Sequence, residues 1–87
     1  MAVLTVSVVS ADREVWSGEA SLVIAKTVGG EIGIMAGHQP MLAVLSAGEV
    51  RVTDTNGEKI IVNADDGFLS VDSNAVQIVA GQASLAS

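Results

Sequence analysis

Residues 50–63 read VRVTDTNGEKIIVN, and this stretch of the chain decides the fold class. Apolar and polar residues alternate over residues 50–53, which is the period of a half-buried β-strand. A second apolar run follows at residues 60–62. Asn56-Gly57 separates the two runs, and this pair favours a type I′ turn, which requires positive φ at both central residues. The stretch therefore predicts a β-hairpin.

The same pattern continues on both sides of this hairpin. Apolar residues recur at every second position in residues 4–8, 69–72 and 76–80, whereas residues 22–25 are apolar on both faces, as in a strand covered on both sides. Further turn signals are Asp66-Gly67, Ser73-Asn74, Gly29-Gly30 and Ala47-Gly48. No convincing helical period occurs before residue 80. We therefore predict an all-β fold, a flattened antiparallel β-sandwich of about nine or ten short strands.

The length of 87 residues allows one domain with one hydrophobic core. We assign residues 1–83 to the sandwich domain. Residues 84–87 are predicted to be a frayed tail, because only small and polar residues with a single leucine follow the last apolar run.

The charge of the chain restricts its partners. Ten acidic and four basic residues give a net charge of −6. The basic residues Arg13, Lys26, Arg51 and Lys59 are scattered, which argues against binding to nucleic acid or to anionic lipid. No apolar run approaches the roughly 18–20 residues of a membrane-spanning helix, so we expect no direct insertion into lipid. A basic protein surface is the partner that this charge favours.

Few residues could perform chemistry. The chain has no cysteine, and His38 is its only histidine. Gly37 precedes His38 and Gln39-Pro40 follows it, which indicates a tight connection between strands, so a loop hydrogen bond or a partner contact is favoured over catalysis. Residues 29–33 have glycine spacing faintly similar to a phosphate-binding loop, but no helix follows to present amide groups. We expect no catalytic residue, no metal site and no cofactor.

Residues 29–42 stand apart from the rest of the chain, because they hold four of the nine glycines, the histidine and the proline. These glycines suggest unusual backbone angles or close backbone approach. GEIGI at residues 30–34, followed by Gly37-His38, Pro40 and Leu42, resembles the signature of the epsilon subunits of F-type ATP synthases. The similarity extends in order from Leu4 to Ala83.

The resemblance implies a mechanical, non-enzymatic role. Members of this family sit at the foot of the central stalk, between the gamma subunit and the ring of c subunits, and couple proton flow to ATP synthesis as they turn. The resemblance therefore implies a peripheral subunit on the cytoplasmic face of the bacterial plasma membrane. Carried over to this sequence, the c-ring contacts fall on Gly29, Gly30 and Glu31. The gamma-subunit contacts fall on Ser10, His38, Met41 and Ala43. We expect apolar contact around Met41 and Leu42 to supply most of the binding.

The sequence departs from the family pattern in two places. Met35-Ala36 stands where the family usually has a leucine or an aromatic residue followed by proline. Family members commonly continue into a helical hairpin, whereas this chain stops at Ser87. We therefore do not carry over the helix-based inhibition and nucleotide sensing of the family, and we expect no tight binding of ATP.

A lipoyl or biotinyl carrier domain is the alternative, because such domains are also acidic, β-rich and of this size. They carry a modifiable lysine at a hairpin tip. Lys26 lies within a predicted strand, and Lys59 follows the Asn56-Gly57 turn without the expected neighbours. The residues therefore favour the stalk subunit over the carrier domain.

Overall fold

The computed structural model describes residues 3–11 and 13–85, and it places nine β-strands and no helix in them. The strands are β1 (Leu4–Val9), β2 (Glu14–Thr27), β3 (Gly30–Ile34), β4 (Met41–Leu45), β5 (Gly48–Asp54), β6 (Lys59–Ala64), β7 (Gly67–Asp72), β8 (Ala75–Ala80) and β9 (Ala83–Leu85). The prediction of an all-β sandwich of about nine or ten strands is confirmed, although β2, with 14 residues, is longer than the short strands expected.

The strands form two layers that share the long strand β2. One layer has the order β1-β8-β7-β4, and the other contains β3, β2, β5, β6 and β9. Residues 14–20 of β2 pair with β1, whereas residues 20–27 pair with β5 and β3. β2 therefore passes from one layer to the other, as strands at the corners of a sandwich do.

One pairing differs from the predicted antiparallel arrangement. β1 and β8 run parallel, with Val6 opposite Val76, whereas every other pairing among the described strands is antiparallel. A parallel pair needs a long connection between its strands, and here the connection comprises most of the chain. A period of two in the sequence contains no information on strand direction, so the parallel pair could not be predicted.

The core lies between the two layers and follows the predicted alternation. On β1, Leu4, Val6 and Val8 are fully buried, whereas Thr5 is exposed. Residues 22–25 of β2 alternate between half-buried and buried, so the outer side of this strand is only partly covered. The remaining buried apolar residues are Ala20, Val23, Ala25, Ile34, Leu45, Val50, Val52, Val62, Ala64, Leu69, Val71, Val76, Ile78 and Ala80.

The hairpin between β5 and β6 exists, but its turn differs from the predicted type I′ turn. Only Gly57 has a positive φ, at +85°, whereas Asn56 does not. The Asp54 amide donates to the Glu58 carbonyl (2.9 Å), which leaves three residues in the loop. One Asp54 carboxylate oxygen accepts the amides of Asn56 and Glu58, each at 2.9 Å. The carboxylate therefore stabilises a three-residue loop with left-handed glycine at its end.

The tight turn with two positive φ angles lies between β7 and β8. Ser73 and Asn74 have φ of 51° and 65°, and they join Asp72 to Ala75, which face each other across the hairpin. Asparagine tolerates this left-handed conformation better than most residues, which is consistent with a turn at this predicted reversal.

Close backbone approach occurs at Gly67, where β7 begins. A Cβ atom at Gly67 would overlap the carbonyl oxygen of Val79 and lie 2.6 Å from the Cα of Ala80. By contrast, a Cβ atom at Gly33 would meet no atom within 4 Å. Gly67, the glycine that close packing requires, therefore lies outside residues 29–42, where close backbone approach was expected.

The predicted frayed tail at residues 84–87 needs correction. Ala83–Leu85 forms β9, in which Ser84 pairs with Asn63 and Leu85 with Val62. The open edge of β6 supplies backbone partners to any short segment that reaches it, so weak side-chain patterning does not prevent pairing. Residues 86–87 lie outside the described residues.

Candidate protein interaction surface

No cluster of three or more metal-binding side chains occurs among residues 3–11 and 13–85. The imidazole Nδ1 of His38 lies 2.8 Å from the carbonyl oxygen of Gln39, its neighbour in the chain. His38 is half-buried in the connection between β3 and β4. The side chain is therefore engaged in a local contact of the kind that was predicted for a loop histidine.

The outer side of the layer β1-β8-β7-β4 carries large apolar side chains. Leu42 is 72% exposed, Val44 is 57% exposed and Phe68 is 46% exposed. Val44 pairs with Phe68 across β4 and β7, so their side chains stand next to each other on one face. We call Leu42, Val44 and Phe68 the apolar face. Adjacent exposed apolar side chains make this face a candidate interaction site.

Two of the predicted gamma contacts lie on the opposite side of β4. Met41 and Ala43 are half-buried and pack against the core, because successive side chains of a strand alternate between its faces. Leu42 and Val44 are therefore the β4 residues that point outward. Leu42 was predicted to contribute apolar contact and Val44 was not, because the five residues of β4 are all apolar and their pattern cannot select a face.

The other two predicted gamma contacts lie at opposite ends of the same layer. Ser10 follows Val9, which pairs with Val79 at one end of β8. His38 precedes β4, whose first residue pairs with Val71 at the other end of the layer. The Ser10 hydroxyl donates to the Arg13 carbonyl oxygen (3.3 Å), which orders the connection between β1 and β2. The structure thus separates these residues along the layer that carries the apolar face.

The predicted c-ring contacts lie in the hairpin between β2 and β3, which a buried hydroxyl organises. The Thr27 hydroxyl donates to the Gly30 carbonyl oxygen (2.7 Å) and accepts the Gly29 amide (3.2 Å). Thr27 is the only buried polar residue in the described part of the chain. Gly30 has a φ of +120°, which favours glycine. Gly29, Gly30 and Glu31 are all exposed, and we call them the Glu31 loop, although Gly30 and Glu31 are the first two residues of β3 and Glu31 pairs with Lys26 of β2.

The Glu31 loop and the apolar face adjoin each other. The Val28 amide donates to the Val44 carbonyl oxygen (3.0 Å), and Val28 is itself 74% exposed. Among the described residues the only ion pair joins Arg51 to Glu49 at 3.4 Å, so Glu31 has no ion-pair partner there. The backbone segment that leads into the Glu31 loop is therefore hydrogen-bonded to the strand that carries the apolar face.

An exposed apolar face on a β-sandwich is the kind of surface that favours contact with another protein. Residues 3–86 match the family model described as the β-sandwich domain of the ATP synthase delta/epsilon chain. The chain therefore belongs to the ATP synthase delta/epsilon family.

Curated relatives and solved structures agree with this assignment. The chain is 54% identical over 85 residues to an ATP synthase epsilon chain of Micrococcus luteus, covering 98% of this chain and 93% of the relative. It is 47% identical over 83 residues to an epsilon chain of Streptomyces avermitilis, covering 95% of this chain and 67% of the relative.

The fold is also that of solved ATP synthase chains. A chain of the Euglena gracilis mitochondrial ATP synthase structure matches with a TM-score of 0.91 at 23% identity, over 98% of this chain and 54% of that chain. A chain of the Tetrahymena thermophila mitochondrial central stalk and c-ring structure matches with a TM-score of 0.74 at 18% identity, over 92% of this chain and 64% of that chain. Within the described residues there is no helix suited to crossing a bilayer.

Proposed function

We propose that this chain is a non-catalytic rotor subunit of a proton-translocating F-type ATP synthase. It links the gamma subunit to the c-ring at the foot of the central stalk and so helps to couple proton flow to ATP synthesis. As a peripheral subunit it lies on the cytoplasmic face of the bacterial plasma membrane. Membership of the delta/epsilon family supports this role. The observation that carries it is the apolar face beside an exposed acidic loop.

The gamma subunit covers the apolar face. Removing a Leu, Val or Phe side chain from water contributes about 1.5–3 kcal/mol, so three such side chains supply the main driving force for docking. Ser10 and His38 lie at opposite ends of this layer, and Met41 and Ala43 support β4 from the core side. In this arrangement gamma extends along the whole layer, with Leu42 and its neighbours as the central contact.

The c-ring meets the Glu31 loop. Glu31 is exposed and forms no ion pair among the described residues, although Lys26 lies opposite it on β2, so its carboxylate can contact a basic residue of the ring. An exposed ion pair contributes only about 0.2–1 kcal/mol, so this contact sets the register of the two parts more than their affinity. Exposed Gly29 and Gly30 allow the backbone of the ring to approach closely.

The two contacts are connected through the backbone. The hydrogen bond from Val28 to Val44 ties the hairpin that precedes Glu31 to the strand that carries the apolar face. A displacement imposed on the Glu31 loop is therefore transmitted to β4 through a paired strand rather than through a flexible linker. This connection suits a part that has to turn with both of its partners.

The carrier-domain alternative is not favoured. Lys26 lies within β2 opposite Glu31, and Lys59 is the first residue of β6 and pairs with Thr53. Neither lysine occupies the tip of a hairpin, where a swinging arm would be attached. An intact mass equal to that of the bare polypeptide is expected, and a lipoyl or biotinyl adduct would contradict the rotor assignment.

Replacement of Leu42 by Asp tests the proposed function. The change removes about 1.5–3 kcal/mol of apolar burial from the docked state, so binding weakens at least about tenfold. Binding is measured by interferometry on immobilised catalytic head complex that contains gamma and lacks this chain. Leu85→Asp is the matched control, because Leu85 is an exposed apolar residue on β9 of the other layer. Equal binding by the two variants would contradict docking through the apolar face.

A further inference from the structure

The connection between β3 and β4, residues 35–40, is hydrogen-bonded to a distant turn through the side chain of Asn74. The Gly37 amide donates to the Asn74 carboxamide oxygen at 2.7 Å. In the described part of the chain this is the only hydrogen bond between residues 35–40 and another element. The other contacts of the connection are local, since the His38 amide donates to Met35 (3.1 Å). The conformation of this connection therefore depends on Asn74.

Asn74 is itself held firmly by the sandwich. It lies in the tight turn between β7 and β8 with a φ of 65°. Its backbone carbonyl oxygen accepts the amide of Thr5 on β1 at 2.8 Å. The side-chain oxygen of Asn74 thus projects from a point that is fixed by three strands. Glycine would also accept the positive φ, but it would offer no acceptor to Gly37.

We propose that Asn74 is a positioning residue that holds His38 in place for docking of the gamma subunit. The proposal rests on the proposed function, in which His38 marks one end of the gamma surface. Gly37 has a φ of +88° and directly precedes His38. The bond to Asn74 therefore fixes the backbone one residue from the side chain that meets the partner. Asn74 acts through Gly37 and needs no contact with gamma.

The physical effect is pre-organisation. A six-residue connection that is free in solution loses conformational entropy when a partner orders it, and this loss weakens binding. A connection already held in the bound conformation avoids that loss. Removal of one neutral hydrogen bond corresponds to roughly a two- to tenfold weaker affinity.

The test uses three variants of the whole chain. Asn74→Gly keeps the positive φ and removes the acceptor, whereas Asn74→Asp keeps both. Ser73→Gly is the matched control, because it alters the same turn, and the Ser73 hydroxyl contacts only the neighbouring Asp72 (3.2 Å). The first readout is the exchange rate of the Gly37 amide in the free chain, measured by NMR. The second is the affinity for the catalytic head complex that contains gamma and lacks this chain.

The proposal expects Asn74→Gly to raise the exchange rate of the Gly37 amide about tenfold or more and to weaken binding about two- to tenfold. Asn74→Asp and Ser73→Gly are expected to stay within about twofold of the original chain in both readouts. An Asn74→Gly chain with an unprotected Gly37 amide and unchanged affinity would overturn the positioning role alone. A protected Gly37 amide in that variant would overturn the hydrogen-bond assignment.

Failure of the proposed function would look different. If Leu42→Asp and His38→Ala both bind the head complex like the original chain, the gamma surface is wrong and the positioning role falls with it. If these two variants bind weakly and Asn74→Gly does not, only the positioning role is wrong.

Discussion

Gly67→Ala tests the close packing of β7 against β8. The added Cβ atom would overlap the carbonyl oxygen of Val79 and lie 2.6 Å from the Cα of Ala80. Both obstacles are backbone atoms of a paired strand, so neither can rotate away as the end of a side chain could. The strands must separate locally or lose a ladder hydrogen bond. We expect a loss of about 2–3 kcal/mol in the free energy of unfolding, as for other overpacked sites.

Thermal unfolding followed by circular dichroism measures this loss. In a domain of this size each kcal/mol corresponds to a change in Tm of about 4–8 °C, so the variant should unfold roughly 10–20 °C below the original chain. Gly33→Ala is the matched control, because a Cβ atom there meets nothing within 4 Å. Its effect is expected to stay within about 1 kcal/mol. An unchanged Tm for Gly67→Ala would refute the close approach of the two strands.

Three further predictions concern the Glu31 loop and nucleotide binding. Glu31→Lys should reduce ATP-driven proton pumping by the reassembled enzyme without lowering the Tm of the chain, because repulsion replaces attraction at a basic partner loop. An enzyme with Glu58→Lys, which changes an exposed acid in the hairpin between β5 and β6, should pump normally, and equal pumping by both variants would contradict the contact. Thr27→Val should lower the free energy of unfolding by about 1–3 kcal/mol and speed hydrogen exchange of the Gly29 amide, because the buried hydroxyl makes two hydrogen bonds. Thr27→Ser should keep the Gly29 amide protected from exchange, and a protected amide in Thr27→Val would refute the role of the hydroxyl. Calorimetry with ATP-Mg should show no binding at micromolar concentration, because the net charge is −6 and the glycine-rich segment leads into a strand instead of a helix that could bind phosphate. Micromolar affinity would contradict the expected absence of tight ATP binding.

The layered β-fold could be predicted because the alternation of apolar and polar residues along a strand indicates which side chains are buried. On β1 the alternating residues Leu4, Val6 and Val8 are all buried, as expected. The partner of β1 on its second side could not be predicted, because the parallel pair with β8 joins distant parts of the chain. The type of the β5–β6 turn was also missed, since the Asp54 carboxylate selects a longer loop than Asn56-Gly57 alone would favour.

The proposed interaction surface could be predicted only in part. The Glu31 loop was found from its glycines and its resemblance to a family, and the structure leaves it exposed. The apolar face was found only at Leu42, because every residue of β4 is apolar and the outward set becomes visible only once the strand is paired. Phe68 was also missed, although the alternation at residues 69–72 places it on the same outward side of β7 as Asp72. The link from Asn74 to Gly37 spans 37 residues, and no local pattern indicates it.

Site-specific cross-linking tests most directly the claim that this chain joins gamma to the c-ring. Because the chain contains no cysteine, each introduced cysteine is the only reactive thiol in it. Matching cysteines are first placed on gamma and on the polar loop of the c subunit. The single-cysteine variants Leu42→Cys and Glu31→Cys are then assembled into the complete synthase and treated with a short bifunctional thiol reagent. We expect Leu42→Cys to cross-link to gamma and Glu31→Cys to the c subunit, with Leu85→Cys joining neither. Products in which the two partners are exchanged, or no product from either cysteine in the assembled enzyme, would contradict a subunit that joins gamma to the c-ring through these surfaces.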